Sequence, residues 1–500
     1  VADIIITFTY LLGLEHANYS FGASVGLFTS MVNCNHISSS KMLTAQEGTV
    51  QYDLVERCAA TWSDFSRENE DAVEILQIYL TDGLAGGNVS AQELLLCMME
   101  QERIPATPEE KAKVQSGAIA PSTFVIQKLE SGEMSPSDTG LDPSTGSVVV
   151  SEVDSGQVLA LVTYPSYDNN ELVNTFNNSY YNSLLEDMNT PLVNRPLKQK
   201  KAPGSTFKMI PALAGLETGI ITPNTTIRDQ GIFRDAGTPY ARCWIYSNGG
   251  GTHGAVNVSH ALEVSCNYFF YELGYRMGNA EEGTTEQAIT TLNEYMAAFG
   301  LNSVTGIELE EYSPTMASPY YKERTIKTYN PDATTSQTRW TDGDTIRAFI
   351  GQSVNSYTPA QMNRYIATLA NGGTLYQYHL VNMVTNPDGS IYEKKEEVVE
   401  NILELQPENL EAVYEGMYLV ANGSKGTLRS AFTDLEVKVG AKSGTAQEDL
   451  SRSSHTWLVC MAPYDDPQIA ITVMIPFAEN YGSPAPKVAK AIIREYLGLE

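Results

Sequence analysis

Two pairs of short β-branched runs stand at opposite ends of a long segment, and they constrain the fold more than anything else in the chain. Val148-Val149-Val150 and Val158 to Val162 are joined through Asp154-Ser155-Gly156, a hairpin composition. Far downstream, Thr456 to Met461 and Ile469 to Ile475 repeat the pattern across Asp465-Asp466-Pro467. Between them the apolar spacing is helical, at 205–218, 259–276, 285–298 and 358–370, and a helix from Pro486 to Tyr496 closes the chain. Strands from both ends with helices between predict an α+β domain, an antiparallel sheet of N- and C-terminal segments covered by helices. The polar stretch Glu311–Asp344 reads as a long surface loop. There is no internal repeat.

A chain of 500 residues exceeds one ordinary core, and roughly two to four domains are expected. Residues 1–140 differ in character from the rest. An amphipathic helix is expected from Ser63 to Leu80, and another from Ser90 to Glu102, where Ser90 and Glu93 form a capping box. The polar stretch Ser131–Gly146 reads as a linker, so a supporting or interaction domain at 1–140 precedes a larger one at 145–500. With 32 basic against 60 acidic residues the net charge is −28, which disfavours nucleic acid and anionic membrane surfaces. Cys34, Cys58, Cys97, Cys243, Cys266 and Cys460 show no C-x-x-C and no Cys/His cluster at zinc spacing; unpaired buried thiols and no metal are expected. The best apolar run, Ile4 to Leu14, falls well short of the roughly 18–20 residues of a membrane span and lacks signal-peptide flanks.

Chemistry concentrates in three strings. Pro203-Gly204 opens a helix, and Ser205 and Lys208 then share a face, their Cβ atoms about 5–6 Å apart. A lysine desolvated beside other cations loses its proton near neutrality and activates a hydroxyl. Ser265-Cys266-Asn267 lies in the helical pattern Ser259–Arg276 among Val264, Tyr268, Phe269 and Phe270, where polar groups need partners. The hydroxyl can pass a proton, and the amide can bond a carbonyl and a lysine. Lys442-Ser443-Gly444-Thr445 follows the strand pattern Val437–Val439; Gly444 permits close backbone approach, and Lys442 with a hydroxyl can meet a carboxylate. Each string alone is commonplace, but 60 and 177 residues apart, in this order, they supply the parts of an acyl-transfer site.

These strings and their flanks resemble the class B penicillin-binding proteins, the monofunctional D,D-transpeptidases of peptidoglycan synthesis. The likeness covers about 145–500: Gly156 to Asp168 ending Pro-Ser-Tyr-Asp, Gly351-Gln352, Thr358-Pro-Ala-Gln361, Ala370-Asn-Gly-Gly373, His455-Thr-Trp457 and Ala462-Pro-Tyr-Asp465. It implies the penicillin-binding/transpeptidase fold with an all-helical subdomain, a Ser205 nucleophile attacking D-Ala-D-Ala, and Lys208 as its base. Ser265 would relay protons, Asn267 would position substrate, and Lys442, Ser443 and Thr445 would hold the terminal carboxylate. The Ser205 and Thr445 backbone N–H groups would form the oxyanion hole. No cofactor is implied. Stem peptides, β-lactams and cell-wall elongation or division proteins are the implied partners. The implied location is the extracytoplasmic face of a bacterial membrane, through an N-terminal anchor absent from this chain. Lys-Ser-Gly-Thr replaces the commoner Lys-Thr-Gly-Thr; residues 1–140 match the usual pedestal poorly and carry no glycosyltransferase motif; His455-x-Trp457 leans towards elongation-type relatives. A β-lactamase, a D,D-carboxypeptidase and a β-lactam sensor are the alternatives. Gly249-Gly-Gly251 with His253, and Asn422-Gly-Ser-Lys425-Gly, read as loops rather than phosphate cradles. His455 reads as structural, and Glu396–Glu400 and Glu404–Glu411 as solvated surface.

Overall fold

A computed structural model describes residues 27–28, 31–32, 37–62, 65–68, 71–134, 139, 145–187, 189–279, 284–447, 454–478 and 484–499. Ile4–Leu14, Cys34 and most of the 131–146 linker lie outside the described residues. The chain divides into two compact units, one of 146–164 and 193–500, the other holding 2–145 and 165–192. The segment 165–192 therefore groups with the N-terminal region rather than with the residues that follow it.

The N-terminal unit is helical: α1 Val50–Thr61, α2 Ala72–Gly86, α3 Ala91–Glu100, α4 Pro108–Gln115 and α5 Pro121–Glu130. The helix expected from Ser63 instead begins at Ala72 and runs to Gly86, where Gly87 takes the left-handed cap at φ 77. Leu76, Tyr79, Leu80 and Leu84 carry its buried stripe, while Phe65 is buried from the non-helical lead. The Ser90 capping box forms as expected, Ser90 N–H donating to Glu93 at 2.8 Å and Glu93 N–H to Ser90 at 3.2 Å.

The larger unit is built on a five-stranded antiparallel sheet. Its strands are β1 Gly146–Glu152, β2 Val158–Tyr164, β3 Gly440–Ala446, β4 His455–Ala462 and β5 Ile469–Ile475, in the spatial order β3-β4-β5-β1-β2. Both expected hairpins form, and the two ends of the unit meet where β1 pairs β5, Val149 opposite Thr472. Every residue of β4 and β5 is buried. The helices that frame the site are α6 Met209–Glu217, α7 Val258–Glu263, α8 Asn267–Asn279, α9 Thr285–Ala298, α10 Pro359–Ala370, α11 Pro407–Asn422 and α12 Pro484–Leu497. α10, buried along its whole length, packs on β1, β4 and β5, and α12 also packs on β4 and β5. Of the other helices, α11 packs on β3, α6 packs against α8, α9 and α11, and α7 against α11. Among the described residues no helix is long and apolar enough to cross a membrane.

Two sequence expectations fail here for physical reasons. The 259–276 pattern is two helices, because the backbone turns left-handed at Ser265. The 311–344 stretch is not all loop: Ser318 caps a helix at Pro319–Tyr329 that has no buried residue, so no apolar stripe betrayed it.

Asn363 locks α10 to the sheet. Its amide donates to Val149 O at 3.2 Å and Ala470 O at 3.0 Å, and its Oδ1 accepts from Ser151 Oγ at 2.8 Å and Tyr378 OH at 2.7 Å. Asn363→Leu strands several buried polar atoms at once. We expect it to destabilise this unit by about 3 kcal/mol in denaturant unfolding; a loss below about 0.5 kcal/mol would contradict the assigned role.

Candidate active site

The nucleophile candidate stands on a 3₁₀ turn, Gly204–Phe207, that leads directly into α6. On such a turn residues three apart eclipse, which aligns half-buried Ser205 with Lys208. Backbone contact seats the turn. Gly204 N–H donates to Gly351 O at 3.0 Å, and a Cβ on Gly204, at φ 54, would collide with Thr445 O of β3. A Cβ on Gly444 would come 2.8 Å from Pro203 O. Thr206 Oγ1 donates to Pro203 O at 2.7 Å, and Tyr365 OH on α10 to Thr206 O at 3.3 Å.

Ser265 occupies the joint between α7 and α8 at φ 53. Its N–H bonds Leu262 O at 3.1 Å and the next N–H, of Cys266, bonds Ala261 O at 2.8 Å, a Schellman stop. Glycine usually fills that left-handed position; a serine there is strained backbone of the kind functional sites retain. The turn aims both Ser265 and Asn267 at the first motif. Lys208 Nζ donates to Ser265 O at 2.9 Å and to Asn267 Oδ1 at 2.7 Å, and lies 3.3 Å from Ser265 Oγ.

β3 is an edge strand, paired only with β4, and the third motif lies within it rather than after it. Lys442 is fully buried, and its Nζ donates to Ser265 Oγ at 2.9 Å and to Ser443 O at 3.0 Å. The ammonium is directed inward, at the relay hydroxyl. The half-buried Ser443 and the exposed Thr445 carry the accessible hydroxyls. Burial pushes Lys208 down to about 8, and burial together with the Lys208 charge pushes Lys442 well below the ordinary lysine range. Lys208, Asn267 and Lys442 are thus linked through Ser265, and backbone contact brings the Ser205 turn against Gly444 and Thr445 of β3.

Residues 146–496 match the family described as Penicillin binding protein transpeptidase domain. The chain is 35% identical over 361 residues to the peptidoglycan D,D-transpeptidase MrdA of Escherichia coli K12, covering 69% of this chain and 53% of that protein. PBP2 of Pseudomonas aeruginosa, solved in complex with WCK 5153, superimposes with a TM-score of 0.61 at 28% identity, over 72% of this chain and 73% of that one. PBP2 of Helicobacter pylori, solved in a complex with MreC, gives 0.58 at 26%, over 71% and 61%. The chain belongs to the penicillin-binding protein transpeptidase family, and its likeness to MrdA and PBP2 makes it class B. It spans about half the length of the curated relatives it matches.

Sequence spacing offered no metal cluster, but the fold assembles a candidate one. Asp229, Cys243, His253 and Cys266 bring one ligand atom each within 4.8 Å of one another. Cys243 Sγ lies 4.0 Å from Cys266 Sγ and 3.4 Å from His253 Nδ1, which is 2.8 Å from Asp229 Oδ2. A tetrahedral zinc with Zn–S bonds of about 2.3 Å spaces two thiolates by roughly 3.8 Å, so the donor set and the thiol spacing fit that ion, which would displace the proton shared by His253 and Asp229. Burial opposes charge at both Asp229 and His253, but their mutual hydrogen bond prevails, holding Asp229 at about 2 and His253 at about 9. A bound ion would anchor Cys266, and with it the turn that presents Ser265 and Asn267. The ligands come from a strand end, two loops and a helix joint, which is why no motif spacing revealed them. The five described cysteines are unpaired and buried.

This geometry predicts about one zinc per chain by elemental analysis after metal supplementation, with Cys243→Ala and His253→Ala each reducing it severalfold. Chelation should lower the melting temperature of the wild type more than that of either variant. Equal zinc content in all three proteins would rule the cluster out.

Proposed function

We propose that this chain is a peptidoglycan D,D-transpeptidase that cross-links stem peptides through a Ser205 acyl-enzyme. The observation that carries this reading is the pair of buried lysines converging on Ser265, beside the Ser205 turn, with no carboxylate on either ammonium among the described residues. A neutral Lys208 gives its two N–H groups to Ser265 O and Asn267 Oδ1, and its lone pair is left to take the Ser205 proton. Ser205 Oγ then attacks the carbonyl of the penultimate D-alanine. The Ser205 and Thr445 backbone N–H groups hold the oxyanion. Ser265, polarised by Lys442, passes the proton to the departing D-alanine amine, whose carboxylate rests on the Ser443 and Thr445 hydroxyls. An amine of a second stem peptide resolves the ester. β-Lactams enter the same path and stop at the ester.

Peptidoglycan lies outside the cytoplasmic membrane, so the proposed site of action is extracytoplasmic. The Helicobacter pylori PBP2–MreC complex supports elongation proteins as proposed partners. Hydrolytic turnover, as in a β-lactamase or carboxypeptidase, is the competing outcome.

Intact-mass measurement with benzylpenicillin should show one long-lived adduct on the wild type and none on Ser205→Ala. An adduct that survives the substitution would refute the assignment; one that clears within seconds would favour hydrolysis.

The lysine chemistry sets the pH profile. The reactive form is neutral, so the acylation rate constant should rise roughly tenfold per pH unit below about 8 and level off above it. Lys208→Arg, locked as a cation, should lose roughly 10²–10⁴-fold. A wild-type profile flat between pH 6 and 9 would remove Lys208 from the role of base.

A further inference from the structure

A cavity of about 1070 Å³ lies beside the Ser265 turn, lined by its neighbours rather than by the catalytic side chains, and is used by none of the steps above. One wall is the segment that ends in Ser265, with Glu263 and Val264 lining the space. Next to it on the lining is the loop bearing Lys425 and Thr427, which sequence alone marked as a plain surface loop. Thr427 Oγ1 lies 3.4 Å from Ser443 Oγ, so the cavity opens beside the β3 hydroxyl assigned to the terminal D-alanine carboxylate.

The walls are fixed. Glu263, 3% exposed, accepts the Lys425 backbone N–H at 3.0 Å, and a Cβ on Gly423 would fall 2.5 Å from the same oxygen. Trp244, a partly exposed ring on the lining, donates its Nε1 to Val264 O at 3.1 Å. Lys425 is exposed, and its ammonium meets no carboxylate among the described residues. His260 adds an exposed imidazole to the same lining.

Resting on the transpeptidase reading, we infer that this cavity receives the acceptor stem peptide and that Lys425 recognises a carboxylate beside its attacking amine. The argument is microscopic reversibility. D-alanine leaves towards Ser443, and the incoming amine must approach the ester along the path by which that amine departed. The cavity borders that path at Thr427, 3.4 Å from Ser443 Oγ. The amine nitrogen bonds the acyl carbon while the carbon–Oγ bond to Ser205 breaks. The nitrogen's proton returns through Ser265 and Lys208 to Oγ, restoring the resting enzyme. Trp244 covers the apolar stem of the acceptor side chain, and Lys425 favours an anionic peptide over a simple alkylamine.

The test uses a thioester donor analogue and two acceptors, a D-amino acid and the matching amine without its carboxylate, with hydrolysis and aminolysis products separated by chromatography. Lys425→Ala should raise the D-amino acid concentration that gives half-maximal aminolysis at least tenfold, leave the plain amine unaffected, and leave benzylpenicillin acylation within about twofold. Lys425→Arg should restore most of the wild-type partition. An unchanged partition in Lys425→Ala with acylation intact overturns the acceptor site. Absence of Ser205 acylation in the wild type itself would instead overturn the transpeptidase reading, so the two failures are distinct.

Discussion

Two lysines share one hydroxyl in a place where neither is easily charged. Lys208 and Lys442 both reach Ser265 Oγ, at 3.3 and 2.9 Å, with no carboxylate between them. Were both protonated, their repulsion at roughly 6 Å would cost about 3 kcal/mol at an effective dielectric constant near 20, before desolvation is counted. The site relieves that cost by releasing a proton, and a released proton is what makes a weak alcohol reactive. Stability and reactivity are therefore opposed here, and the surrounding scaffold has to hold an arrangement it would not otherwise favour.

Two parts of the scaffold serve that end. Asn363 ties the fully buried α10 to β1 and β5, and Tyr365 of the same helix bonds the Ser205 turn. The left-handed Ser265 closes α7 and opens α8 within three residues, so one strained backbone position sets the direction of both the relay hydroxyl and the Asn267 amide. The Asp229–Cys243–His253–Cys266 cluster lies directly behind that turn, where added rigidity would act on the chemistry with no ligand touching substrate.

Much of this was legible in the sequence. β-Branched runs with turn residues between them marked both hairpins, and S-x-x-K, S-x-N and K-S-G-T contain Lys208, Ser265, Asn267 and Lys442, which meet. Their directions were not legible. The aim of Lys442 depends on the register of β3 and on a long flexible stem, neither of which a four-letter string encodes. The break at Ser265 was hidden because apolar periodicity continues through it and no glycine announces the turn. Asp229, Cys243, His253 and Cys266 are spaced by the paths of loops rather than by any helical or hairpin period. Pro319–Tyr329 escaped because a helix without a buried face leaves no stripe, although Ser318-Pro319 is a sound start signal. Glu400 is exposed, as its acidic run suggests, yet it pairs with the buried Arg364 at 3.1 Å, and a charge in such a run gives no sign of which member meets a partner.

The contact of Gly204, Gly351 and Gly444 around the Ser205 turn has an evolutionary consequence. Main chain meets main chain there, with no spare methyl to trim and no room to add one. If β-lactams acylate Ser205 as proposed, selection for drug insensitivity cannot narrow the approach to the serine at those positions without displacing the serine as well. Escape from inhibition has to be sought in side chains bordering the cleft, where a change can discriminate between antibiotic and peptide while the reacting atoms stay in place.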